Sequence, residues 1–379
     1  MEPKLTGLAM MGMSLAAVLL ISGCTGPAGP PGTAGRSPSP EELGALVRQS
    51  VAEALASRDR EAAVSDPLPV TLAWSAKATP TGKTASYNLV VKRAPWELLP
   101  GVTAQAITYN GAVPGPTIRL KEGDTLRVAV KNELDQDTSI HWHGLHLPNA
   151  MDGVPGVTQS PIRPGETFTY EFVASHAGTF MYHPHINSVE QIDSGLYGLL
   201  VIEPQKADIP AFDKEFSMLL GAWMVGSGET STGMGMNMNY NYFTINGKAY
   251  PATEPWTVKE GDKVRVRLVN ISNLPHPMHM HGGDFKVFAR DGEPIPVPNQ
   301  QWINTITVNP GETYDIAFIA DNPGNWVFHC HELHHTENNG TEPGGLIQVI
   351  KYEGYQGYQK YQRPAVPTPM PASMPGMMH

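Results

Sequence analysis

Residues 121–130 read KEGDTLRVAV. A Gly-Asp turn leads into alternating large apolar and small or polar residues, the pattern of a strand with one face buried. The block returns as KEGDKVRVRL at 259–268, an offset of 138 residues. A second pair follows: PGETFTYEFVA at 164–174 and PGETYDIAFIA at 310–320 are separated by 146. The chain therefore holds two copies of one unit, the second with eight extra residues between its paired motifs. Short alternating segments broken by Gly, Pro and Asn argue for antiparallel β-sandwiches, and 38 glycines, 35 prolines and only 16% charged residues suit a turn-rich β protein. We place the first copy at 71–205 and the second at 213–352. A Met-rich segment at 206–240 overlaps the start of the second, and a Pro/Met-rich tail covers 353–379.

Both copies carry histidines at the same offsets. His141 and His143 match His279 and His281, and His183 and His185 match His329 and His331. In a strand, residues two apart share a face and the residue between them faces the other way. In HCH, His329 and His331 therefore face one side and Cys330 the other. Eight imidazoles in four His-x-His pairs suit copper, zinc, iron or nickel. On the opposite side Cys330 groups with His276 and His335, and two imidazoles with one thiolate are the ligands of a blue-copper centre. The first copy has Thr138, Pro184 and Val189 at the matching positions.

Cys24 and Cys330 are the only cysteines, which excludes a disulfide framework. Residues 1–23 read as a signal peptide that leads into Cys24 through ISGC at 21–24, which resembles a bacterial lipobox. Cys24 would then be lipidated, making the chain a membrane-anchored lipoprotein of the cell envelope; an ordinary signal peptide or an uncleaved anchor are the alternatives. Residues 24–70 read as a stalk or linker. Gly recurs at 26, 29, 32 and 35, as in a collagen-like run or a flexible Gly/Pro segment, and residues 40–63 suit a coiled coil or a lone helix. The net charge of −10 argues against a nucleic-acid partner.

HWHG, HPH, HPMHMHG and HCHELHH resemble the four copper motifs of the multicopper oxidases, over about residues 85 to 352. With the blue-copper set in its second half, the chain is similar to a two-domain laccase. The resemblance implies two cupredoxin-like Greek-key sandwiches, four coppers per protomer, and dioxygen as acceptor of electrons from a phenol-like donor. Carried over by position, it makes His276, Cys330 and His335 the type 1 ligands. His141 and His279 would hold the type 2 copper. His143, His183, His185, His281, His329 and His331 would hold the type 3 pair. Electrons would reach the three-copper cluster through Cys330 and its neighbours His329 and His331. Asp152, in MDGVPGVTQ, matches a family acidic residue and is the candidate proton relay; a turn role before Gly153 is the alternative. Two-domain members also imply a homotrimer whose clusters lie between subunits.

Two positions depart from the family pattern. Where many relatives have an axial methionine, this chain has Gly340, and where some have an acidic residue after the second type 1 histidine, it has Thr336, followed by Glu337. Met234, Met236 and Met238, with Met370, Met374, Met377 and Met378 in the tail, are soft donors that suit Cu(I) or are simply loop residues. A cuprous oxidase for copper tolerance is thus the close alternative. A copper nitrite reductase, which carries its type 1 cysteine in the first domain, fits less well because Pro184 stands there. A non-enzymatic copper-binding envelope protein is the remaining reading.

Overall fold

The computed structural model describes residues 78–206, 211–226 and 239–357. The signal segment, the stalk, Met234, Met236, Met238 and the tail methionines lie outside these residues. The first copy contains β1 (Thr84–Leu99), β2 (Val102–Tyr109), β3 (Ile118–Lys121), β4 (Thr125–Asn132), β5 (His141–His143), β6 (Thr167–Val173), β7 (Gly178–His183) and β8 (Gly198–Glu203), with a short helix α1 (Ser188–Asp193) between the last two. They form two sheets, ordered β2-β1-β4-β6 and β3-β8-β7-β5.

The second copy repeats this plan. Its strands begin with β9 (Lys214–Trp223), β10 (Tyr242–Ile245), β11 (Trp256–Val258), β12 (Lys263–Asn270) and β13 (His276–Met280). After them come β14 (Phe285–Arg290), β15 (Glu293–Pro294), β16 (Gln301–Ile303) and β17 (Thr305–Val308), then β18 (Thr313–Ile319), β19 (Asn325–Cys330) and β20 (Ile347–Tyr352). One sheet runs β10-β9-β12-β18-β14-β15, with β16 on β14, and the other β11-β20-β19-β13-β17. Strands β14 to β16 have no counterpart among the strands of the first copy and fall in the segment that holds the eight extra residues, whereas β17 corresponds to the isolated Thr138–Ile162 bridge.

Alternation in the sequence becomes burial in the sandwich. Along β4, Leu126, Val128 and Val130 are buried, and along β12 Val264, Val266 and Leu268 are buried at the repeated positions. Each sandwich closes over its own apolar core. The pairing departs from the antiparallel expectation at β1–β4, β3–β8, β9–β12 and β11–β20, which are parallel. Between β1 and β4 the chain visits the opposite sheet as β3, then re-enters beside β1 in the same direction. That crossover makes the sandwich a Greek key rather than a meander.

A third apolar cluster, including Leu98, Met181, Val201, Leu219, Trp223 and Val269, joins strands of the two sandwiches. Beside it lies a buried polar network. Arg267 is 1% exposed; its guanidinium donates to Thr179 of β7 and, at 2.9 Å, to Glu215 of β9. Asp315 of β18 accepts from Thr179 Oγ1 at 2.6 Å and from Arg265 at 2.5 Å. Arg119 of β3 donates to Glu215 at 2.5 Å. Buried charges are tolerated only when paired in this way. Burial raises the Glu215 carboxyl, but the hydrogen bonds and charges of Arg267 and Arg119 outweigh it and hold the group at about 2, against an ordinary 4.5. Because the folded value is depressed, the contribution is complete above pH 4.5 and is lost as pH falls toward 2. Glu215→Gln should therefore cost on the order of 2 kcal/mol at neutral pH, and chemical denaturation from pH 7 downward should show that difference shrinking only below the ordinary carboxylate range.

Candidate metal centre

Strand β19 pairs with β13 so that Cys330 lies opposite Met278 and His329 opposite His279. On the inward face of these strands stand His276 and Cys330, both fully buried, and the 3₁₀ turn Leu333–Thr336 brings in His335 at 2% exposure. The Cys330 sulfur is 3.5 Å from His335 Nδ1 and 3.9 Å from His276 Nδ1, and the two Nδ1 atoms are 3.1 Å apart. Burial, with each ring's imidazole neighbour, lowers His276 to about 3 and His335 to about 4. Both rings are thus neutral at physiological pH, with ring nitrogens converging on the sulfur. Burial pushes the Cys330 thiol up to about 12. A neutral pocket with two imidazoles and a thiol suits a soft cation that displaces the thiol proton, and this donor set fits copper.

The outward faces carry imidazoles. In the first sandwich β5 and β7 pair His141 with His183, and the rings of His143 and His185 lie 5.7 and 5.4 Å from that of His141. In the second, the rings of His281, His329 and His331 lie 5.0, 5.9 and 5.6 Å from His279. Backbone carbonyls fix the tautomers. His183 Nδ1 donates to Pro184 O and His329 Nδ1 to Cys330 O, each at 2.9 Å, the same bond at repeat-related positions. His141 Nδ1 donates to Asp152 O at 2.8 Å and His279 Nδ1 to Asn304 O at 2.9 Å. Nδ1 is occupied in all four, which leaves Nε2 as the donor to a metal. His143 instead turns Nδ1 toward His183 Nε2, 3.2 Å away. Burial drives His183 down to about 3, so it too stays neutral.

The two sets of four are separate: among the described residues no ring contact joins a histidine of one set to a histidine of the other. The first set abuts the Pro310–Thr313 edge of the second sandwich, where a Cβ on Gly311 would meet the His143 ring at 3.3 Å. The second set opens onto a shallow cleft lined by His279, His281, Asp284, Asn304 and Trp326.

The structure refines several sequence expectations. Asp152 ends the turn Asn149–Met151, the turn role considered for it, and its Oδ1 lies 3.5 Å from His141 Nδ1. Gly153 must be glycine, because at φ +83° a Cβ would meet Ile140 O at 1.7 Å. Gly340 is not beside Cys330. It lies exposed at a turn, and a Cβ there would meet nothing within 4 Å. The loop after His335 is longer than the family spacing assumes, and the residue it returns beside Cys330 is Leu346, fully buried, whose carbonyl accepts the Cys330 N–H at 3.1 Å. Met278, fully buried across from Cys330, is invisible to local spacing because strand pairing brings it there. Of the unassigned histidines, His334 points outward to Glu332 at 3.1 Å, and the His146 ring packs at a tilt against His176, 4.5 Å between centroids. His379 lies outside the described residues. Phe243, 4.1 Å from the His335 ring, has no sequence signal.

Multicopper oxidase family patterns match residues 90–207 and 227–340. Among solved structures, the multicopper oxidase mgLAC is 36% identical with a TM-score of 0.69, the match covering 74% of this chain and 89% of that one. The blue copper oxidase of Nitrosomonas europaea is 33% identical, also at 0.69, over 75% and 92% of the two chains. Curated relatives include the Escherichia coli copper resistance protein A, 32% identical over 57% of this chain and 43% of the relative. Another is a probable nitrite reductase-hydroxylamine oxidoreductase fusion protein of Kuenenia stuttgartiensis, 32% identical over 68% of this chain and 31% of the relative. The chain thus spans less than half the length of these curated relatives. Two matched segments, a likeness to solved multicopper oxidases over about three quarters of this chain and a buried N₂S donor set backed by imidazoles agree: the chain belongs to the multicopper oxidase family.

Proposed function

We propose that this chain is a laccase-like oxidase with four coppers per protomer, oxidising phenolic or similar donors one electron at a time and reducing dioxygen to water. One observation carries this reading: strand β19 presents Cys330 to a buried N₂S site and His329 to an imidazole cluster through adjacent peptides. We assign His276, Cys330 and His335 to type 1 copper, and His141 and His279 to type 2. His143, His183, His185, His281, His329 and His331 go to the type 3 pair. Bound copper would supply the one-electron chemistry and the reduction of dioxygen.

The protein's own groups do the rest. Phe243 and His334, with ring centroids 4.1 and 4.4 Å from His335, keep water off that ring. Leu333, 56% exposed, and the exposed His334 give a donor an apolar edge with an imidazole beside it. Asp152, half-buried next to His141, is placed to hold a proton beside the first imidazole set.

A homotrimer is part of the proposal, because each imidazole set is half a cluster and each faces the surface separately; the first sandwich of one subunit would meet the second sandwich of the next. We also retain Cys24 as a lipid anchor to the envelope. The cuprous-oxidase reading draws support from the copper resistance relatives. A nitrite reductase arrangement is disfavoured because the first sandwich fills the corresponding pocket with a Thr138–Gln191 hydrogen bond of 2.8 Å and no thiol.

The test of the main reading is the visible spectrum of the copper-loaded protein with copper counted in the same sample. We expect about four coppers per chain and an intense thiolate-to-copper band that Cys330→Ser removes; copper without that band would refute the reading. Asp152→Asn should slow oxygen consumption by about 10²-fold while leaving the band unchanged. For the trimer, His183→Ala and His329→Ala should each be inactive alone, yet mixed trimers should recover about one quarter of parental oxygen consumption. No recovery in mixtures shown to contain mixed trimers would place each cluster within one chain.

A further inference from the structure

His276 has a built environment on the side away from Cys330. Its Nε2 lies 2.7 Å from the hydroxyl of Ser272, which is 3% exposed. That hydroxyl is fully committed. Its proton has two oxygen acceptors in reach, Asn270 Oδ1 at 2.9 Å and Leu274 O at 3.1 Å, and the hydroxyl accepts from Leu274 N–H at 3.2 Å, so its remaining lone pair accepts the proton on His276 Nε2. Asn270, fully buried, is itself fixed: Nδ2 donates to Leu274 O at 2.7 Å and Val308 O at 2.8 Å, and Oδ1 also accepts Ser272 N–H at 2.9 Å.

The first sandwich supplies an internal control. Asn132 stands 138 residues earlier, its Nδ2 donating to Gln136 O and Ile162 O at 2.8 Å and its Oδ1 accepting Leu134 N–H at 2.9 Å. The asparagine corner is the same in both copies. What differs is the pair it carries: Leu134 with Thr138 in the first, Ser272 with His276 in the second. The corner explains the asparagines, and it needs no hydroxyl at the following site. The hydroxyl accompanies the imidazole.

We propose that Ser272 is a positioning residue for the type 1 site, holding His276 as the Nε2–H tautomer with Nδ1 free and setting how strongly that ring donates to the metal. This rests on the assignment of His276 as a type 1 ligand. A ring whose distal N–H is hydrogen-bonded is a more basic ligand, and a more basic ligand favours the oxidised metal. Removing the acceptor weakens donation and favours the reduced state.

The test is a redox titration of the copper-loaded full chain, followed through the thiolate-to-copper band, for the parent, Ser272→Ala and Ser272→Thr. Ser272→Ala is expected to keep the band and shift the midpoint upward, so that less than half of it is oxidised at the parent's midpoint. Ser272→Thr, which keeps the hydroxyl, is expected to titrate close to the parent. An unmoved midpoint in Ser272→Ala, or equal shifts in both variants, overturns the inference while leaving the type 1 assignment intact. Absence of the band from the parent overturns the assignment and the inference with it.

Discussion

The two-residue period of one strand governs the chemistry of this chain. Because β19 is extended and paired to β13, its consecutive side chains go to opposite faces. Cys330 must enter the apolar core and His329 must leave it. A one-residue slip from Met278 opposite Cys330 would send His276 outward and the imidazole of His279 into the core, where its polar atoms would lack partners. The apolar pattern of β13, with His276, Met278 and Met280 buried, enforces the register that the metal donors need. Folding and site assembly are thus the same event on these two strands.

The interface between the sandwiches is of a different kind. It combines an apolar patch with Arg265, Arg267, Asp315, Glu215 and Thr179, each using hydrogen bonds to satisfy a buried charge or hydroxyl. Its carboxylates and hydroxyl are paired while Arg265 Nε and Arg267 Nε are left without partners, so the network fixes orientation more than it adds stability. The first imidazole set is thereby held against Gly311, and a side chain at that position would crowd the His143 ring.

Much of this architecture is legible in the sequence. The repeat at offsets of 138 and 146, the all-β pattern, the opposing faces of HCH and the grouping of Cys330 with His276 and His335 all follow from residue type and period. What is not legible depends on pairing between distant segments. Counting five residues past His335 reaches Gly340, yet the loop turns outward there and Leu346 is what returns to Cys330. Met278 and Phe243 reach the site through strand register and packing, which local spacing does not encode. The parallel pairs arise from crossovers between sheets, while alternation reports only which face is buried. Asn132 and Asn270 do carry a signal, since the repeat aligns them, but an asparagine after a strand has many uses.

The Thr138–Gln191 hydrogen bond shows how the duplicated pocket closes without a thiol. In the first sandwich two buried side chains satisfy each other, and that pocket is finished by protein alone. In the second, the matching pocket holds a thiol and two imidazole nitrogens whose lone pairs converge without a proton to share among them all. The duplicated unit therefore occurs once with this pocket closed by its own side chains and once with the same pocket given over to converging donor atoms.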